Sequence, residues 1–279
     1  MGLWLSLFST PSSAEVFVDV PELLALQKQG AAVVDARGGE SWHQGRVPDA
    51  GSLSWWALRA GQLRTGLLTD DLEHLLEYIQ KAGVSQDKPV VVVGQADQGW
   101  GEEGRIFWTL EVLGHKDVHI LDGGLRAWQD AGQPLEYLSR PARGDFVPQA
   151  PGAQRADLAR VRQAAETGDA LIWDTRSEAE FHGATPAGER RGGHIPGAKN
   201  LFWKELLDEE GRLLPAKELE RKLTQTGIVR GQPIISLCTG GVRAGFGYAV
   251  LRELGYSELM VYDGSMWEWS ADADLPLEL

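Results

Sequence analysis

Apolar positions along this chain come in short runs, with amphipathic stretches between them. Residues 32–36, 90–94 and 119–121 form such runs in the first half, and Ile234, Ile235 and Leu237 form another in the second. Runs this short, bounded by turn residues, read as strands buried on both faces. Residues 70–82 and 105–113 instead carry apolar side chains at helical spacing, as do Tyr248, Val250, Leu251 and Leu254. Strands alternating with helices predict an α/β fold, a parallel sheet with helices on both faces.

The pattern is written twice. Val33-Val-Asp35-Ala-Arg37 returns as Ile172-Trp-Asp174-Thr-Arg176, and Gly45-Arg-Val-Pro48 as Gly193-His-Ile-Pro196. Pro89-Val-Val-Val-Val-Gly94 returns as Pro233-Ile-Ile-Ser-Leu-Cys238. The stretch from Gly114 through Asp122-Gly-Gly to Trp128 returns, with the same internal spacing, from Gly255 through Asp263-Gly-Ser to Trp269. Two copies of one domain explain this; a solenoid would need more and shorter repeats. The expected domains are residues 15–135 and 155–279. A linker rich in proline and glycine joins them over residues 136–154.

A length of 279 residues fits two ordinary domains. The single cysteine excludes an intramolecular disulfide and a Cys-x-x-Cys zinc site, and the histidines show no paired metal-ligand spacing. A net charge of −13 argues against nucleic acid and anionic membranes as partners, and any anionic substrate must be held by local positive charge. No apolar run approaches the roughly 20 residues of a membrane span. Residues 1–8 resemble a signal-peptide core followed by Ser12-Ser13-Ala14, but no basic residue precedes them. The expected location is cytoplasmic, with a periplasmic one as the alternative.

The candidate chemistry gathers where the second copy's apolar run ends, at Cys238-Thr239-Gly240-Gly241-Val242-Arg243. Strand, tight loop, helix is the reading, with Cys238 opening the loop and Arg243 closing it. Gly240 and Gly241 let the backbone turn sharply and point successive N–H groups inward. The helix start adds unpaired N–H groups and positive dipole, and Arg243 adds a full charge. All three favour thiolate over thiol, which makes Cys238 a candidate nucleophile rather than an inert core thiol. In copy one the corresponding segment, Gly99-Trp-Gly101-Glu-Glu-Gly104, matches the G-x-G-x-x-G of a dinucleotide site. Glu102 and Glu103 would put negative charge where a pyrophosphate should lie. The better reading is a degenerate active-site loop that reaches across to shape the other one.

Cys238 through Arg243, the duplicated Asp-x-Arg, Gly193-His-Ile-Pro196-Gly-Ala198 and Asp263-Gly-Ser-Met-Trp-Glu-Trp269 together resemble the tandem-domain rhodanese family, and within it the bacterial thiosulfate sulfurtransferases. The resemblance runs from about Val16 to the end of the chain. It implies two tandem rhodanese-like domains, the first without the catalytic cysteine and the second catalytic, with a site near their interface. It also implies sulfur transfer from a small anionic donor, thiosulfate, to cyanide or a thiol through a Cys238 persulfide, with neither a metal nor an organic cofactor needed. Thr239, Gly240, Gly241, Val242 and Arg243 would hold the charge, and Arg190 and Arg191 lie where the family places a substrate-facing arginine. The alternative donor is 3-mercaptopyruvate. Relatives that use it carry a serine two residues after the cysteine and a histidine from the first domain, where this chain has Gly240 and Arg46.

Asp174 and Arg176 are expected to form a structural ion pair, and His194 to be a turn residue. Trp267 and Trp269 are expected to pack, and Trp203 to approach the site. Glu180 stands where many relatives carry an arginine. Two other function classes stay open. A Cys-loop-Arg phosphatase would place five residues between Cys and Arg, where this chain has four. A non-catalytic binding module would have no need of Cys238.

Overall fold

The computed structural model describes residues 15–38, 43–61, 63–138 and 140–279. The signal-like start lies outside them. Elements run in the order β1 (Phe17–Val18), α1 (Val20–Lys28), β2 (Ala32–Asp35), β3 (Gly51–Ser52), α2 (Trp55–Leu58), α3 (Leu72–Lys81), β4 (Val90–Val93), α4 (Glu102–Val112), β5 (Val118–Leu121) and α5 (Gly124–Asp130). They continue with β6 (Arg155–Ala156), α6 (Leu158–Thr167), β7 (Leu171–Asp174), α7 (Glu178–Phe181), β8 (Lys199–Asn200), a 3-10 turn at Trp203–Leu206, α8 (Ala216–Thr226), β9 (Ile234–Leu237), α9 (Val242–Glu253), β10 (Leu259–Tyr262) and α10 (Ser265–Trp269). Two five-stranded sheets result, ordered β1-β5-β4-β2-β3 and β6-β10-β9-β7-β8, parallel throughout and matching strand for strand.

Side chains alternate across a strand, so each run feeds two cores. Val33 and Val91 face an outer cluster with Leu23, Leu125 and Trp128, while Val34 and Val92 face inward. In the second sheet Ile172 and Ile235 face an outer cluster with Val161, Met266 and Trp269, while Trp173 and Ile234 face inward. The two inward faces share one core, with Ile106 and Trp108 from α4 and Phe246 and Ala249 from α9. Both faces of each sheet are thus covered, as the unbroken apolar runs require.

Helix α4 begins at Glu102, three residues before its apolar periodicity starts, because Gly101 enters it in the left-handed conformation (φ 79°). It crosses α9 with the backbones in contact. A Cβ on Gly104 would overlap the backbone of Phe246, and one on Gly245 would lie 2.8 Å from Cα of Arg105.

The halves also exchange segments reciprocally. The Leu68 N–H donates to Asp263 Oδ2 (2.7 Å) across the boundary, and the Leu213 N–H donates to Asp122 Oδ1 (2.9 Å) the other way. Each recipient aspartate sits in the repeated Asp-Gly motif. The residues just before each donor cover the partner's strand-to-helix loop. Gly66 lies tight against the Gly240 carbonyl, and Gly211 against the Asp97 backbone. Among the described residues, no helix is long and apolar enough to cross a membrane.

Candidate active site

Strand β9 ends at Leu237 and the chain turns at Cys238, which is only 1% exposed. The Cys238 N–H donates to Ser265 Oγ (3.1 Å), whose hydroxyl donates to the Tyr262 carbonyl (2.7 Å). Ser265 holds φ 51°, a strained value for a residue with a Cβ, while Gly124 stands at its place in copy one with φ 55°. Copy two therefore tolerates strain to keep a hydroxyl beneath the cysteine. Beyond Cys238, the N–H groups of Thr239, Gly240, Gly241, Val242 and Arg243 have no protein acceptor among the described residues. Gly241 takes φ 77° to let the loop enter α9. These N–H groups and the helix dipole make a cradle for negative charge.

Arg243 is 5% exposed and is held by Glu180 through two 2.8 Å bonds, a fork-to-fork pair. Burial alone would lower the guanidinium's affinity for its proton, but the bonds to Glu180 and the nearby Cys238 sulfur raise it above the usual arginine value. Burial pushes Glu180 the opposite way, yet Arg243 and the cap hydrogen bonds from Ser177 hold its carboxylate down at about 2. The Thr239 hydroxyl accepts from Arg243 Nη2 (2.8 Å) and donates to Glu189 Oε1 (2.9 Å), which ties the loop to the segment before Gly193. Glu180 thus stands at the site, and it holds the loop arginine.

A cavity of about 390 Å3 opens over Cys238. Cys238, Thr239, Gly240, Val242, Arg243 and Glu180 line it together with Pro186, Ala187 and Trp267. Trp55, Trp56, Trp100 and Glu102 come from the other domain. The degenerate loop of copy one therefore does reach across. Trp55 and Trp56 are what the sequence reading missed, and Trp267, expected only to pack, lies against Gly240 and forms a wall. Trp203 instead is buried against Gly101 and Phe246, while Trp269 sits in the outer core and donates to the Pro276 carbonyl. His194 is buried and stacked on Phe181 at 3.5 Å. Asp174 and Arg176 form a buried pair (2.6 Å), as Asp35 and Arg37 do (2.7 Å).

Arg190 and Arg191 do not line the cavity. Arg190 is exposed, and Arg191 donates to the carbonyls of Trp269, Ser270, Asp272 and Leu275, clasping the C-terminal segment.

The equivalent place in copy one is closed. Gly94 occupies the cysteine's position: its carbonyl accepts from Leu125 N–H as that of Cys238 accepts from Met266 N–H. A Cβ on Gly94 would collide with the Glu103 carboxyl. Burial, aided by the charge of Glu102, pushes that carboxyl up to about 8. Three of the loop N–H groups are taken as well, those of Gln98 and Gly99 by the Gln95 carbonyl and that of Trp100 by the Glu102 carboxylate (2.8 Å).

The Rhodanese-like domain family model matches residues 19–131 and again 157–272. The chain is 31% identical over 279 residues to a thiosulfate sulfurtransferase of Azotobacter vinelandii, covering 99% of this chain and 98% of the relative. It is also 31% identical over 271 residues to a probable 3-mercaptopyruvate sulfurtransferase of Pseudomonas aeruginosa, covering 92% of each. Among solved structures, the 3-mercaptopyruvate sulfotransferase SseA of Escherichia coli superposes with a TM-score of 0.80 at 26% identity, over 90% of this chain and 99% of that one. Both halves of the molecule match one family model, and relatives of the same length align end to end; the chain belongs to the tandem-domain rhodanese family of sulfurtransferases.

Proposed function

We propose that the chain moves sulfane sulfur from thiosulfate to cyanide or a thiol, with Cys238 as the carrier. The observation that carries this reading is the set of N–H groups without a protein acceptor that follow a cysteine lining a cavity between the two domains. The Cys238 thiolate attacks the outer sulfur of thiosulfate, the S–S bond breaks, and sulfite leaves with the bonding electrons. The terminal charge of the resulting persulfide rests in the N–H cradle. Cyanide then attacks the terminal sulfur, leaves as thiocyanate and restores the thiolate. This is double displacement through a covalent intermediate.

Thiosulfate is favoured over 3-mercaptopyruvate by two features. Pyruvate leaves as an enolate and needs a proton, whereas sulfite leaves as a stable anion. A side chain on Gly240 would run into the Trp267 ring, so the loop has no room for a serine there. Arg46, standing for the first-domain histidine, does not line the cavity.

The test is intact mass and steady-state kinetics together. Thiosulfate adds one sulfur atom to the protein, cyanide removes it, and kcat/KM for thiosulfate exceeds that for 3-mercaptopyruvate with cyanide as common acceptor. A clear preference for 3-mercaptopyruvate overturns the donor assignment. Turnover of an aryl phosphate without any mass change overturns the sulfur chemistry.

A further inference from the structure

Around Cys238 the charges pair off unevenly. Arg243 is engaged by Glu180, and Arg155 by Asp263 (3.1 Å) and Asp70 (2.9 Å). Glu189, bonded to Thr239, and Glu102, on the cavity wall, add negative charge. One cation is left over. Arg105, on α4 of the domain that lacks the nucleophile, is 1% exposed and has no carboxylate partner among the described residues. Its Nη2 donates to the Gly66 carbonyl (2.7 Å) and its guanidinium lies 4.8 Å from the Trp108 ring centre. Nη1 is buried with no hydrogen-bond acceptor, and it fills the space that a Cβ on Gly241 would occupy, in the middle of the cysteine loop. The contact at Gly104 and Gly245 brings it there, because only two bare backbones let α4 sink this far into α9.

Burying a cation without a counter-ion is unfavourable unless negative charge arrives beside it. Two negative charges bear on it: Asp263, which Arg155 already engages, and the Cys238 sulfur, which has no such partner. Burial pulls the Arg105 guanidinium down to about 10, and Asp263 and Cys238 are the groups that draw it back up.

We propose that Arg105 is a positioning residue for the sulfur-transfer site, a cation lent by the non-catalytic domain that biases Cys238 toward its anionic thiolate and persulfide forms. The proposal rests on Cys238 as the sulfur carrier and adds the source of the stabilising charge. It gives the non-catalytic domain an electrostatic function as well as a structural one.

Two variants separate charge from shape. Arg105→Gln keeps an N–H donor for Gly66 without the charge, and Arg105→Lys keeps the charge. Three quantities are read for parent and variants: thermal midpoint, kcat/KM for thiosulfate, and the rate of Cys238 alkylation by iodoacetamide from pH 5 to 9. The expected result is a fall in kcat/KM of about 10-fold for Arg105→Gln, with the alkylation midpoint moved up by about one pH unit. Arg105→Lys should restore most of that midpoint. If Arg105→Gln does not fold, Arg105→Met is read the same way. Midpoints equal to the parent's in the uncharged variant, or moved equally by Gln and Lys, overturn the proposal. The parent's mass after thiosulfate treatment keeps the outcomes apart: no added sulfur there counts against Cys238 as carrier, not against Arg105 alone.

Discussion

The loops after β4 and β9 descend from one pattern and have opposite fates. After β9, the backbone keeps its N–H groups free, a hydroxyl is strained into place beneath the cysteine, and the arginine is fixed from outside by Glu180. After β4, the chain consumes part of its own donor set: Gln95 and Glu102 take the N–H groups of Gln98, Gly99 and Trp100, and the Glu103 carboxyl fills the thiol's space. An anion site exists only where the protein leaves donors unsatisfied, and it disappears once a nearby side chain satisfies them. The closed loop has not become idle. Trp100 and Glu102 wall the open one, and Arg105 reaches beneath it.

The largest expected effect comes from moving the nucleophile across this divide. Cys238→Ser should abolish both the thiosulfate mass increment and turnover, because a hydroxyl forms no persulfide. Adding Gly94→Cys to that variant should restore neither, since Glu103 occupies the space and the N–H groups of Gln98, Gly99 and Trp100 are already engaged. Recovered turnover in the double variant would erase the distinction between the loops.

The two glutamates should give stability opposite pH slopes. Glu103 is raised in the folded protein, so its favourable contribution is full below its ordinary 4.5 and is lost as pH rises through about 8. Glu103→Gln should therefore stabilise the protein by roughly 2–3 kcal/mol at pH 7, with little gain at pH 4. Glu180 is depressed, so its contribution is full above 4.5 and is lost as pH falls through about 2. Glu180→Gln should weaken the fold at neutral pH by an amount that shrinks on acidification. Urea unfolding of both variants from pH 3 to 9 checks the signs; parallel curves would contradict them.

Arg243→Ala should lower kcat/KM for thiosulfate by about 10-fold or more, roughly 1.4 kcal/mol. Arg243→Lys should recover only part, since an ammonium cannot fork onto both Glu180 oxygens. Unchanged kinetics in the alanine variant would leave the backbone cradle as the whole anion site. The smallest effect belongs to Trp100, which is 62% exposed with the Arg243 guanidinium 5.6 Å from its ring centre. Trp100→Ala should raise KM by about 2- to 5-fold, in line with roughly 0.5–1 kcal/mol for an exposed ring and cation. An unaltered KM would show that the closed loop's contact does nothing for substrate.

Much of this was readable in the chain itself. Unbroken valine and isoleucine runs gave the parallel sheets, because strands covered on both faces need no polar side. The repeat located the open loop and its closed counterpart, since Gly94 aligns with Cys238 in one dimension as it does in three. What stayed hidden depends on how the copies face each other. Trp55 and Trp56 carry no local sign that they serve the other domain, and local periodicity cannot tell a wall from packing, as Trp267 shows. Glu180 was hidden differently: Ser177-x-x-Glu180 is a helix capping box, and the box is present, but the same carboxylate also reaches Arg243.

The crossing of α4 and α9 bears on how such a molecule can change over generations. A side chain gained at Gly104 would meet the backbone of Phe246, and one gained at Gly245 would meet the backbone around Arg105. Neither neighbour can shrink, because a backbone has no smaller replacement. A substitution at either glycine therefore has no compensating partner elsewhere in the chain, and must be absorbed by parting the helices. The duplicated halves are free to diverge in their loops, their charges and their catalytic competence, but at this point each constrains the heredity of the other.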